Sequence, residues 1–376
     1  MKIYLDNAAT TQVDKEVFKA MEPFFCDIYG NASSLHSFGQ EALKAVEEAR
    51  NKIAKFLNCD VDEIIFTSGA TEANNIAILG SVESGGHVIT SAIEHPAVLE
   101  TCTSLEKNNI EVDYIKPDSS GIINVGDIKN KIKDNTKLIS IMYANNEIGT
   151  IQDIKKIGEL IKNIDKNILF HTDAVQAANY LDLDVKKLNV DLLSFSGHKI
   201  YGPKGIGVLY VNKKIKINKI QHGGHHENNL RPGTLNVPGI VGLGKAVELI
   251  QNRDNKKIKE LRDYLWKSIQ KKISGISLNG GLDNRLPNNL NINVSGVEGE
   301  ALLLGLDIEG VAISTGSACS SNSLKPSHVL SAIGVSTEDS HGALRITLGK
   351  NNTRDEIKYF IKKLYGLVAR FRDMAP

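Results

Sequence analysis

The sequence predicts an α/β protein in which a large domain with a mostly parallel sheet is joined to a smaller α+β domain. Two observations carry this. Short apolar runs alternate with amphipathic helical stretches through the first two thirds of the chain, as a parallel sheet with covering helices requires. From about Asn255 the texture changes to a charged helix and an alternating strand, which places a boundary there. The 376 residues are enough for two cores. Lysine plus arginine (45) nearly balances aspartate plus glutamate (44), so no strong field argues for nucleic acid or an anionic membrane surface, and a small charged substrate fits better. Met1 to Asn7 holds no apolar signal and no later run approaches membrane-spanning length, so a soluble cytoplasmic protein is expected. Cys26, Cys59, Cys102 and Cys319 form no CxxC pair, which disfavours a disulfide framework and a zinc knuckle.

In chain order, a short N-terminal strand precedes a polar loop, Asn31 to Phe38, and a helix, Gly39 to Leu57, with Val46, Ala49, Ile53 and Leu57 on one face. Glu63 to Thr67 reads as a strand, Ser68-Gly69 as a turn, and Ala70 onward as a helix start. Strand, glycine turn and helix N-terminus together make an anion site to which Thr71 adds a hydroxyl; the alternative is a simple N-cap by Thr71. His87 to Ser91 is a strand ending at Glu94-His95-Pro96, where proline starts a helix and leaves His95 at a strand's carboxyl end. Further strands are expected at Glu111 to Ile115, Leu138 to Met142 and Ile168 to His171, with a helix on Ile154, Ile157, Ile161 and Ile164. Asn145-Asn146-Glu147 follows one of these strands and Asp173-Ala174-Val175-Gln176 another. Asp173, flanked by apolar residues, is a costly buried charge unless it meets a cation.

The strand Leu192 to Phe195 runs into Ser196-Gly197-His198-Lys199, and the glycines and Pro203 beyond it let the backbone turn tightly. A lysine beside hydroxyl, imidazole and glycine N–H donors is what Schiff-base chemistry needs; a solvated surface turn is the alternative. A nucleotide P-loop is excluded, because Tyr201 to Gly207 lacks the Gly-Lys-Ser/Thr that opens a helix. The histidines of Gln221 to Glu227 have no spacing that aims them at one ion, and a polar loop is the plainer reading. The last third supplies a helix on Ile258, Leu261, Leu265 and Ile269, strands Leu290 to Val294 and Leu344 to Leu348, and a helix opened by a Thr353/Glu356 capping box. Between the last two strands, Ser314 to Ser323 is small, polar and glycine-containing, which predicts a mobile loop with Cys319 at its middle.

Taken together these residues resemble a cysteine desulfurase of the NifS/IscS type, group I, a pyridoxal-phosphate (PLP) enzyme of fold type I. The resemblance rests on Tyr4 to Thr11, Gly69 to Asn75, Glu94-His95, Asn145 to Gly149, Asp173 to Gln176, Ser196 to Lys199, Arg231 to Thr234 and Ser314 to Cys319, in that order. It implies a large PLP domain at 12–254 and a small domain of 1–11 with 255–376, carrying the cysteine loop at about 314–325. It also implies roles. Lys199 holds PLP covalently and acts as base, Asp173 pairs with the pyridinium nitrogen, and His95 stacks on the ring and takes part in catalysis. Ala70, Thr71, Ser196 and His198 hold the phosphate, and Thr234 reaches it from the other subunit of a homodimer. Gln176 bonds the ring hydroxyl oxygen, Asn146 lies beside ring and substrate, and Arg345 binds the L-cysteine carboxylate. Cys319 takes the sulfur as a persulfide, leaving L-alanine, and passes it to an iron–sulfur scaffold or another acceptor. No intrinsic metal is implied; Cys319 is the residue that could touch a cluster shared with such a scaffold. Selenocysteine lyase and PLP aminotransferase are the neighbouring enzyme readings, and a non-catalytic sulfur relay the reading from another class. The chain departs from the family's Gly-Gly-Gly-x-Glu-Arg at His225 and Asn228.

Overall fold

The computed structural model describes residues 2–250, 255–315 and 326–374. Its strands are β1 Ile3–Tyr4, β2 Ile64–Thr67, β3 His87–Ser91, β4 Glu111–Ile115, β5 Thr136–Ser140, β6 Leu169–Asp173, β7 Leu192–Ser196, β8 Gly207–Val211, β9 Ile276–Leu278, β10 Asn289–Val294, β11 Val311–Ala312 and β12 Ala343–Thr347. Seven of them form the main sheet in the order β2-β8-β7-β6-β5-β3-β4. Neighbours from β7 to β4 pair in parallel, whereas β8 is antiparallel to both β2 and β7. Every strand of this sheet except β8 therefore ends on the same edge.

The two-residue period of a strand sorts its side chains between two helical layers. Ile64, Phe66, Ile89, Ile139, Leu193 and Val208 pack on one face with Val46 and Ile53 of the helix Ser37–Leu57 and Leu243 of Val237–Ile250. Ile65, Val88, Leu138, Leu192 and Leu209 point the other way, onto Ile76 of the helix Ala70–Ser81 and Val98 of Pro96–Glu106. A separate core joins Ile3 and Leu5 to Leu265, Leu290, Leu344 and Phe360. There β12, β10 and β9 form an antiparallel sheet, and β1 pairs in parallel with β11. Leu286 is buried in the first core, not the second.

Several expected boundaries move, each for a local reason. The first long helix begins at Ser37 because the His36 ring caps it, Nδ1 accepting from Gly39 N at 3.3 Å. β5 stops at Ser140, since Met142 N leaves the ladder to donate to the Glu94 carboxylate at 2.8 Å. β6 runs on to Asp173, so that carboxylate belongs to the strand itself. Ile164 is 41% exposed, off the face that Ile154, Ile157 and Ile161 bury. The helix at Ala70 is capped by Gly69 with no side-chain bond, so Thr71 lies inside the first turn and the N-cap reading of it is corrected.

The Gln221 to Glu227 loop is pinned from its end. Glu227 accepts from Arg50 Nη2 at 2.6 Å and from Phe66 N at 2.6 Å, while Arg50 Nη1 donates to Ile64 O at 2.6 Å. Glu227, Asn228 and Asn229 all have positive φ, 47°, 53° and 64°, and Asn228 Nδ2 donates to Asp62 O at 2.7 Å. Glu227→Ala removes the buried carboxylate from Arg50 and leaves it only the half-exposed Glu47 at 3.4 Å, and it also frees Phe66 N, so the variant should lose about 2–3 kcal/mol of stability. Urea unfolding would show this as a lower midpoint at unchanged slope; an unmoved midpoint would mean that Arg50 finds a substitute partner.

Candidate active site

Because the strands share an edge, the short segments that leave them converge there, which is where ligands bind in open α/β sheets. A cavity of about 910 Å³ lies at that edge. Ala70 and Thr71 reach it after β2, His95 after β3, Asn146 after β5, Asp173 and Gln176 at the end of β6, and Ser196, His198 and Lys199 at the end of β7. Arg345 enters from β12 of the second core. All ten of these expected residues are thus brought together. Thr234 is exposed and is not part of this wall. Cys319 lies outside the described residues.

Lys199 ends a 3-10 turn, Gly197–Lys199, that needs its glycines: a Cβ on Gly197 would stand 2.9 Å from Pro203 O. Its Nζ donates to Ala9 O at 2.8 Å and also to Ala8 O. Gln176 Nε2 donates to the same Ala8 carbonyl at 3.0 Å, and the stretch Ala8 to Thr10 closes one side of the cavity. Asp173 is 4% exposed; it accepts from Asn74 Nδ2 at 2.7 Å and from Val175 N at 3.0 Å, and has no ion pair among the described residues. Neutral donors of this kind hold a carboxylate in place and leave its charge free to meet a cation. The Asn74 Oδ1 atom is buried with no partner.

The first turn of the helix Ala70–Ser81 has no side-chain cap, so its N–H groups are unspent and face an anion site favoured by the helix dipole. Ser196 and His198 stand on the same wall, with His198 Nδ1 3.2 Å from Thr10 Oγ1. Burial, with Lys199 and Lys204 nearby, pushes the His198 imidazole down to about 4, so it is neutral at physiological pH. His95 caps its helix through Nδ1, which accepts from Ala97 N at 3.1 Å. Burial outweighs the attraction of Asp173 and lowers its pKa as well.

Arg345 is 2% exposed. Its Nη2 donates to Asp6 at 2.9 Å and its Nη1 to Asn146 O at 3.2 Å, while Nε is buried without a partner among the described residues. Burial raises the Asp6 carboxyl despite that guanidinium. The arrangement suits a small carboxylate: it is a planar fork with one nitrogen unsatisfied. No cluster of three or more metal-binding side chains exists among the described residues.

Four participants carry no expected role: Asn74, Glu94, Glu147 and His328. Asn74 had a usable signal, since it follows Ala70 by one helical turn and so shares its face. Glu94 is fully buried and accepts from Ser91 Oγ at 2.6 Å; burial raises its pKa to about 8. Glu147 and His328 line the cavity through packing between distant segments, which no local spacing announces.

The family model for aminotransferase class-V matches residues 3–360. The cysteine desulfurase IscS of Dictyoglomus turgidum is 50% identical over all of this chain and 96% of its own length. That of Methanosarcina thermophila is 49% identical over all of this chain and 94% of its own. Among solved structures, a NifS-like protein superposes with a TM-score of 0.92 at 38% identity, covering 98% of this chain and 100% of that one. SspA in complex with cysteine gives a TM-score of 0.83 at 41% identity, covering 92% of this chain and 99% of that one. The chain belongs to the class-V aminotransferase family and, within it, to the NifS/IscS cysteine desulfurases.

Proposed function

We propose that the chain is a PLP-dependent cysteine desulfurase that converts L-cysteine to L-alanine and leaves the sulfur as a persulfide on Cys319. The observation that carries this is the meeting of Lys199, Asp173 and Arg345, from three separate segments, at one cavity. The donor set fits PLP. Unspent N–H groups of the first helical turn, with Thr71, Ser196 and His198, suit its phosphate; Asp173 on its Asn74 support suits a pyridinium cation; Lys199 suits its aldehyde. Bound PLP supplies the electron sink that weakens bonds at the substrate carbons.

The protein's own residues do the rest. Arg345 holds the substrate carboxylate and thereby aims the amino group and sulfur into the cavity. Asn146, whose carbonyl already accepts from Arg345, borders the same substrate. Lys199 takes and returns the proton at Cα; its Nζ lies within hydrogen-bond reach of the Ala8 and Ala9 carbonyls. Gln176 lies where it can bond the ring hydroxyl oxygen. Cys319 attacks the substrate sulfur as a thiolate, and the persulfide goes to an iron–sulfur scaffold or another acceptor. Cys59 and Cys102 are poor candidates for this: burial pushes their thiols up to about 12.

The working unit is a cytoplasmic homodimer in this reading, with Thr234 reaching the phosphate of the second copy. Its exposure off its own cavity wall supports that, as do Phe25, Tyr29 and Phe38, each more than half exposed, and Leu35, 94% exposed. No helix of the described residues is long and apolar enough to cross a membrane.

Three variants test the reading. Lys199→Ala should stay folded and lose about 10³-fold or more of alanine formation from L-cysteine, because base and covalent anchor vanish together; ordinary turnover would overthrow the central assignment. Arg345→Lys keeps the charge and loses the fork, so KM for L-cysteine should rise at least about tenfold with the cofactor spectrum unchanged. An unaltered KM removes Arg345 from substrate binding. Cys319→Ser should still change the cofactor spectrum on adding L-cysteine, yet form no persulfide and almost no alanine. Mass spectrometry that finds the added sulfur on Cys26, Cys59 or Cys102 of the parent protein would transfer the role to another thiol.

A further inference from the structure

Three imidazoles border the cavity among the described residues, and two of them, His95 and His328, engage opposite ring nitrogens in their hydrogen bonds. His95 Nδ1 accepts from Ala97 N at 3.1 Å, so its proton is on Nε2 and the ring has no lone pair left to offer. His328 has the same tautomer but engages the other nitrogen. Its Nε2 donates to the Glu94 carbonyl at 2.9 Å, which leaves the Nδ1 lone pair without a partner among the described residues, on a ring that forms part of the cavity wall.

The position of His328 is also built. It opens the short helix His328–Ala332, whose Val329 and Leu330 pack against Ile93, Met142 and Ile148 of the turns after β3 and β5. Ser327, one residue earlier, donates to the buried Glu147 carboxylate at 2.6 Å. Burial lowers the pKa of His328, partly offset by the Glu94 carbonyl, so the ring is neutral and able to accept a proton at physiological pH.

We infer that His328 Nδ1 accepts the proton of the substrate thiol during sulfur transfer, a task that the hydrogen bonding of His95 denies to that ring. The inference rests on the desulfurase reading. As the Cys319 sulfur pair forms the S–S bond, the substrate Cβ–S bond breaks with its electrons going to carbon. The S–H bond breaks with its electrons staying on sulfur, and the proton passes to Nδ1. The products of the step are a persulfide anion, an imidazolium and a Cβ that keeps the electron pair of the broken bond, and no outside oxidant or reductant enters. Cβ takes a proton from water to become the methyl group of alanine, and the ring gives the thiol proton back to water as the product leaves.

Selenocysteine provides the test, because a selenol is far more acidic than a thiol and enters already ionised, with no proton for His328 to take. His328→Gln places an amide donor where Nε2 was, keeping a bond to Glu94 O, and removes the base. Alanine formation from L-cysteine should fall by about 10²–10⁴-fold while that from L-selenocysteine stays within about threefold of the parent. His328→Asn, which offers an acceptor but no base near the Nδ1 position, should show the same split. The ratio of the two rates in one preparation is independent of the folded fraction. Equal loss with both substrates would make His328 only a structural anchor, and retained cysteine turnover in either variant would also overturn the assignment. A split produced by Glu147→Gln and not by His328→Gln would give the base role to Glu147. A parent protein that makes alanine from neither amino acid would sink the desulfurase reading itself, and this assignment with it.

Discussion

The site depends on strand direction. With β8 the lone reversed strand of its sheet, the segments leaving β2, β3, β5, β6 and β7 all emerge at one edge, each delivering one or two polar groups without bending a strand to do so. The reversal of β8 has its own use. It carries Gly207 beneath the helix start at Ala70, so close that a Cβ there would lie 2.7 Å from the Gly69 backbone. A side chain at 207 would push the anion-binding turn away from Ser196 and His198.

The charge pattern of the cavity follows from what is buried beside what. His95, His198 and His328 are all kept below their ordinary pKa chiefly by desolvation, so three imidazoles near one another add no net charge. Among the described residues, a charged ligand there meets Lys199, Lys204 and Arg345 as cations and Asp173, Glu72 and Glu100 as carboxylates. Glu147 and Glu94 are buried too, with burial raising their carboxyls to about 7 and about 8. Their hydrogen bonds, to Ser327 from one and to Ser91 and Met142 from the other, hold turns in place at the cavity's border.

Much of this was legible in the residues, because the polar groups follow short apolar strands directly. Lys199 after β7 and His95 after β3 needed only the strand and the glycine or proline that ends it. The direction of β8 was not legible: a five-residue apolar run looks the same whichever way it pairs. The grouping of Ile3 and Leu5 with the last third came from the family resemblance and not from the residues themselves, since two short apolar residues say nothing of partners 250 or more positions away. His328 was missed because a lone histidine next to a serine has no period; its meaning comes from the Glu94 carbonyl, 234 residues earlier.

The pairing of β1 with β11 has a consequence for the order in which the chain can fold as it is made. Ile3 and Leu5 leave the ribosome some three hundred residues before their partners Gly310 and Ala312, so no stable seat exists for them in the meantime. The seven-stranded sheet, complete once Val211 has emerged, can form while that first strand waits unpaired in solution. Its apolar residues are then open to chaperones or to another nascent chain until synthesis reaches the last third.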